Sequence, residues 1–298
     1  MLHRVESRDQ HPLLSRVARG GAAVLGGGLS QLLAREGYQP SSAARDATAA
    51  RDAPDLLARC YQSLIEAGVD VLPAHTGATH PRSLARAGVA MRSAAITHRA
   101  VDLAREEIAR SAQRPAVAGL LGPLGIEREM VSMRAARQEF VDHVARLAAT
   151  PLDLIVIEPM PTLEETLAAT SVAALHAECW AVLSLSDAHG AISGLSVVQA
   201  LRALAAVGAN TVIFQSPVSA QLIDALEQSQ ATNAGVFFGA RLDLSADSTP
   251  MQLAQSMGSC MMRGARVLSA SGQVTAAHFK ALTAVVRSRP LTSRDAAP

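Results

Sequence analysis

The sequence predicts a single (β/α)₈ barrel, the TIM-barrel class of α/β folds. Three observations carry this. Eight short apolar runs are spaced along the chain, each is followed by a longer amphipathic stretch, and the polar clusters fall after the runs rather than before them. Continuous apolar strands are what a parallel sheet buried on both faces requires, and strict strand–helix alternation favours a barrel over an open sheet.

The strands are read at residues 22–25 (AAVL), 69–74 (VDVLPA), 116–120 (AVAGL), 152–157 (LDLIVI), 180–185 (WAVLSL), 211–214 (TVIF), 235–238 (GVFF) and 266–268 (RVL). Helical periodicity fills 55–67, 96–112, 134–148, 163–177, 197–207, 220–228, 252–262 and 276–286. Gly68, Gly208 and Gly264 stand between a helix and the next strand, where glycine permits a left-handed helix stop. The other strand ends carry Gly26-Gly27-Gly28, His75-Thr76-Gly77, Gly122-Pro123, Glu158-Pro159, Ser186 to Gly190, Gln215-Ser216 and Ser269-Ala270-Ser271. In this fold the C-terminal rim of the strands holds the active site, so these clusters are the candidates. The barrel is assigned to residues 21–289. Residues 1–20 are read as an N-terminal arm and 290–298 as a C-terminal tail, both without strong pattern.

Composition narrows the function classes. The 298 residues are 49% apolar and 18% charged, with a net charge of +1 and only 3% aromatic residues. Such a chain builds a large core from Ala, Leu and Val. It offers no basic footprint for nucleic acid or a membrane surface, so small-molecule partners are expected. No apolar run reaches the roughly 18 residues that a membrane span needs, and the start is polar, which points to a cytoplasmic protein. Cys60, Cys179 and Cys260 are widely spaced with no CxxC and read as small buried residues. The triple glycine lacks GxGxxG spacing and reads as a tight turn bringing backbone close to a substrate, not as a dinucleotide site. Self-association into a homo-oligomer stays open.

Four stretches taken in order carry a family resemblance. VLGGGLSQLLAREGY (24–38) resembles the opening strand of the homocysteine S-methyltransferases, with Gly26 where that family has Asp. YQSLIEAGVDVLPAHTGATHPRSLARAGV (61–89) is similar to the family's second unit, with Thr76 kept and His75 in an Asn position. VAGLLGPLG (117–125) matches the third-strand Gly-Pro element, and LIVIEPMPTLEETLAA (154–169) the fourth strand. The resemblance covers roughly 22–288. It implies methyl transfer from a sulfonium donor, S-adenosylmethionine or S-methylmethionine, to a small thiol or amine acceptor, within methionine metabolism. It also implies that Glu158 contacts the substrate's amino group.

The same resemblance exposes departures. The family holds zinc through one Cys after strand six and a Cys pair after strand eight. Here those stretches read Ile213-Phe214-Gln215-Ser216 and Ser269-Ala270-Ser271-Gly272, with no sulfur. A neutral serine hydroxyl is a poor ligand for zinc, which prefers thiolate and imidazole. Without metal activation, a thiol of pKa about 8.5 costs roughly 2 kcal/mol to ionise at pH 7, about thirtyfold in rate. Slower methyl transfer is implied, not its abolition.

The candidates are therefore His75 as a general base, and Gly27, Gly28, Thr76, Glu158, Asp187, His189, Ser216 and Ser271 as substrate contacts. Each has a plainer role. Glu158 could pair with an arginine or cap a helix, and the serines could be fillers where a metal once sat. His75, Glu158, Asp187 and His189 together could instead hold a substitute metal or run a different chemistry. A barrel kept only for binding a small amino-acid-like molecule, or an enzyme partner, is the rival from another class.

Overall fold

The computed structural model describes residues 11–40, 45–124, 132–185, 196–232 and 234–288. A helix α1 (Pro12–Ala18) leads into β1 (Ala23–Val24) and α2 (Leu29–Arg35). After α3 (Ala49–Asp52) come α4 (Pro54–Glu66), β2 (Val71–Ala74), α5 (Pro81–Ala85), α6 (Ser93–Arg110), β3 (Ala116–Leu121), α7 (Met133–Ala148), β4 (Leu154–Ile157) and α8 (Leu163–Ala173). The chain continues through β5 (Glu178–Ser184), α9 (Val197–Ala206), β6 (Thr211–Ser216), α10 (Ser219–Gln230), β7 (Phe237–Leu244), α11 (Pro250–Met262), β8 (Val267–Gly272) and α12 (Ala276–Arg287). A 3₁₀ turn at Arg45–Thr48 precedes α3.

All strand pairs are parallel. Ladders run from β2 through β8 and then to β1, and a single parallel bridge, Leu25 to Val71, joins β1 back to β2. The eight-stranded barrel predicted from the alternation is thus what forms. Gly68, Gly208 and Gly264 have φ of 84°, 99° and 84°, the left-handed stops that turn each helix into the next strand.

Strand alternation sorts the core into two layers. Outward residues such as Leu72, Ile155, Leu183, Val212, Phe214 and Leu268 pack against the helices. Inward residues Ala23, Leu25, Val71, Ala118, Val156, Trp180, Val182, Ile213 and Val267 fill the lumen. Low aromatic content makes Trp180, fully buried, the largest plug.

The N-terminal arm is more structured than its sequence suggested. Leu13, Leu14 and Val17 of α1 are buried against the lumen cluster and close the N-terminal end of the barrel. Arg16 Nη2 donates to Asp70 Oδ1 at 2.6 Å, and Asp70 Oδ2 accepts from Val24 N at 2.9 Å. Arg266 lies 4.4 Å from the Phe237 ring centre and donates to Val17 O at 3.1 Å. These contacts fasten the helix to β1, β2, β7 and β8. The predicted tail lies outside the described residues.

Truncating Leu14 to Ala should therefore cost about 2–5 kcal/mol of unfolding free energy. Met91, 98% exposed, should tolerate Ala within about 0.5 kcal/mol. Urea unfolding of the two variants measures both, and equal effects would show that α1 is not part of the cooperative core.

Candidate active site at the strand ends

The rim is built by the last inward position of each strand. On β4, Leu154 and Val156 face the lumen, so Glu158 two residues on does the same. On β6 the inward series Ile213 leads to Gln215, and on β8 Val267 leads to Ser269. β7 runs six residues beyond its predicted end, and its outward Ala240, Leu242 and Leu244 alternate with inward Arg241 and Asp243.

Arg241 crosses the mouth. Its Nη1 donates to Glu158 Oε2 at 2.7 Å and its Nη2 to Glu158 Oε1 at 2.9 Å, while Nη1 also reaches Gln215 Oε1 at 3.2 Å. The guanidinium side chain is 4% exposed and the carboxylate side chain 23%. Burial pulls the guanidinium pKa down, but the Glu158 carboxylate, together with the charge of Asp243, outweighs burial and leaves it raised. The bidentate fork makes this a strong, charge-assisted polar contact. Glu158 therefore takes the arginine-paired role that its position also allowed, with each of its two oxygens accepting from the guanidinium.

A second pair sits at the end of β2. His75 Nε2 lies 3.3 Å from Asp46 Oδ2 and 3.2 Å from the Asp46 carbonyl oxygen. The ring N–H donates to the Asp46 carbonyl oxygen, which places the proton on Nε2 and leaves the lone pair on Nδ1, while Asp46 Oδ2 is close to the ring but makes no hydrogen bond. Asp46, in the 3₁₀ turn, is held well below the usual carboxylate range. Burial would raise it, but the adjacent His75 ring and its charge, with help from Ser30 on α2 and its own amide, prevail. The side chains are 12% and 19% exposed.

Other predicted contacts are placed differently. Thr76 is fully buried, and its hydroxyl donates to Leu120 O and accepts from Leu120 N, both at 2.8 Å, so it bridges β2 to β3. Ser216 has the outward parity of Val212 and Phe214. Its Oγ donates to Gln221 and accepts from Val218 N at 3.0 Å, fastening the turn into α10. A Cβ on Gly27 would meet Ala270 O at 2.7 Å, and one on Gly28, with φ of 65°, would meet Val274 Cγ2 at 2.1 Å. Neighbouring chain leaves no room for a side chain at either position, so only glycine fits the turn there. Ser271 stays at the rim, donating to Asp243 Oδ1 at 3.2 Å. Asp187 and His189 lie outside the described residues. Asp46, Arg241 and Asp243 were not singled out from sequence; the R-L-D-L alternation after the seventh apolar run was the available signal for the latter two.

The geometry does not fit a thiolate zinc site. A Cβ on Gly272, where a cysteine of the pair would stand, would lie 2.6 Å from Asp243 Oδ1 and 2.4 Å from Leu244 O. A Cβ on Gly26 would meet Pro73 Cδ at 2.9 Å, which bars the aspartate expected there. Cys60, Cys179 and Cys260 are buried in α4, β5 and α11, and burial pushes the Cys60 and Cys260 thiols up to about 12 and about 11. Among the described residues no three His, Cys, Asp or Glu side chains come together to hold a metal.

A sequence model described as homocysteine S-methyltransferase matches residues 23–286. The chain belongs to the homocysteine S-methyltransferase family. Membership supports methyl transfer to a homocysteine-like acceptor as the reaction class. The structure is similar to the homocysteine methyltransferase MmuM from Escherichia coli in its metallated form, with 20% identity, TM-score 0.79 and coverage of 92% of this chain and 99% of that one. The oxidized form of that protein gives 21% identity, TM-score 0.78 and the same coverage. A more distant likeness, TM-score 0.53 at 14% identity, is to the carboxyl transferase domain of Rhizobium etli pyruvate carboxylase, covering 91% of this chain and 46% of that one. At such identities the structural likenesses establish the fold. No curated protein matches the sequence. Among the described residues no helix is long and apolar enough to cross a membrane.

Beneath the rim of this family member, His143 donates from Nε2 to Thr76 O at 3.1 Å and stands edge-on to His80 with ring centres 6.0 Å apart. Burial, the larger cause in both, lowers His80 to about 4 and His143 to about 3. Folded-state pKa values below the unfolded value mean that the unfolded chain binds more protons as acid is added. Stability should be complete above pH 6.5 and fall as the pH drops toward 4, by at most about 1.4 kcal/mol per pH unit per histidine. Unfolding curves across that range, repeated with His143→Gln, test this; an identical slope in the variant would remove His143 as a source.

Proposed function

We propose that the protein is a methyltransferase that works without zinc, moving a methyl group from a sulfonium donor, S-adenosylmethionine or S-methylmethionine, to a small thiol acceptor in the cytoplasm. The observation that carries this reading is the Asp46–His75 pair at the end of β2. The proton on Nε2 faces Asp46, so Nδ1 is the base. It takes the acceptor's S–H proton, and Asp46 stabilises the imidazolium that results. The sulfur lone pair then forms a bond to the methyl carbon as the donor's C–S⁺ bond breaks, releasing a neutral sulfide. The imidazolium afterwards gives its proton to water. An imidazole–carboxylate pair supplies the thiolate that a metal supplies elsewhere, and positioning of the two sulfur atoms lowers the remaining barrier.

Ser216, Ser271 and Gly272 support metal independence, because none offers a thiolate and the last has no room for one. A barrel retained only for binding lacks comparable support, since a carboxylate held ionised in a largely buried place beside a histidine is the kind of arrangement found where proton transfer occurs.

Metal-quantified protein incubated with each donor and with thiol acceptors should yield the methyl thioether by mass spectrometry, at a rate unaffected by added chelator or zinc. His75→Gln should lower that rate by about 10²-fold or more while leaving the unfolding curve nearly unchanged. No product with either donor, in an assay where a zinc-dependent relative turns over, would sink the proposal.

A further inference from the structure

Glu158 is the carboxylate that β4 delivers to the rim, and a carboxylate in that position is the natural seat for a substrate ammonium. Both of its oxygens are instead taken by Arg241, at 2.7 and 2.9 Å. The arginine is locked, not swung into place. Its side chain is buried in the lumen, Gln215 Oε1 accepts a third hydrogen bond at 3.2 Å, and the Asp243 charge two residues nearer the rim attracts it further. It grows from the middle of β7, a strand that continues for three residues past it, so no loop movement carries it away.

We propose that Arg241 sets the specificity of this site and that the acceptor is a thiol bearing no ammonium group. The inference rests on the methyl-transfer reading above. An ammonium arriving at Glu158 meets a planar fork already matched to both carboxylate oxygens, and a point charge offers no better geometry in exchange. Displacing the guanidinium would strand a buried cation, and leaving it in place would set two cations side by side. A ligand without the ammonium meets neither obstacle. The pair thus neutralises the anionic anchor at Glu158, while Asp243, nearer the rim, accepts from Ser271 and is itself drawn to the arginine, and selection falls on the absence of the amino group.

The test is a matched pair of ligands, homocysteine and 4-sulfanylbutanoate, which differ in the amino group alone. Calorimetric titration without donor should give 4-sulfanylbutanoate at least about tenfold tighter binding to the wild-type protein. In Arg241→Met, where Glu158 is released, homocysteine should gain at least about tenfold relative to its deamino partner, while Arg241→Lys should keep the wild-type order. Equal or tighter homocysteine binding to the wild type overturns the proposal, as does an unchanged preference in Arg241→Met or no binding of either ligand by any of the proteins up to about 10 mM. The wild-type comparison stands even if Arg241→Met fails to fold. Binding in the expected order without turnover removes only the methyl-transfer reading. Turnover of homocysteine with a KM no higher than that of 4-sulfanylbutanoate removes only this one.

Discussion

Everything at the rim depends on closure of the sheet by its shortest strand. β1 contributes two residues, Ala23 and Val24, paired to Val267 and Leu268 of β8, and Leu25 completes the circle through Val71. Closure fixes which residues face inward on every strand. It sets Glu158 and Arg241 three strands apart on the ring, so that a long guanidinium side chain reaches from one to the other across the lumen. In an open sheet the two would lie along a face, and the same residues would make a surface contact of little value. Asp70 couples the far end to the same event, since it binds the β1 backbone and the arginine of α1 together.

The eight strands and their eight helices were legible because apolar runs and 3.6-residue periodicity survive without tertiary context. What escaped is physically distinct. β7 and β8 were cut short where apolarity stopped, although their second halves continue with polar residues turned inward and apolar ones outward. A polar side chain facing a lumen looks, in one dimension, like a loop. Helix α1 escaped because its seven residues carry just three apolar anchors between polar neighbours, too little to stand out before the barrel end they cover is known.

For the site, the sequence located the rim but not the partners. Glu158 was found, while Arg241 lies 83 residues away and only closure brings them together. Thr76 and Ser216 were read as lying near strand ends, and the structure adds that Thr76 bonds a backbone partner 44 residues distant while Ser216 fastens the turn into α10. His75 and Asp46 are 29 residues apart, joined by the turn of α2 and the 3₁₀ segment packing over β2. Residue type and strand register could be read; which lone pair faces which proton could not.

Gly272 ties the end of β8 to its neighbour. With φ at 72° and Asp243 Oδ1 and Leu244 O already inside the space of a side chain, a cysteine placed at 272 would require β7 to give way. Asp243 in turn supports Arg241 electrostatically, and Arg241 holds Glu158. Room for a side chain at 272 is thus coupled, through Asp243 and Arg241, to the carboxylate on the far side of the lumen, so a change at the end of β8 is felt on β4.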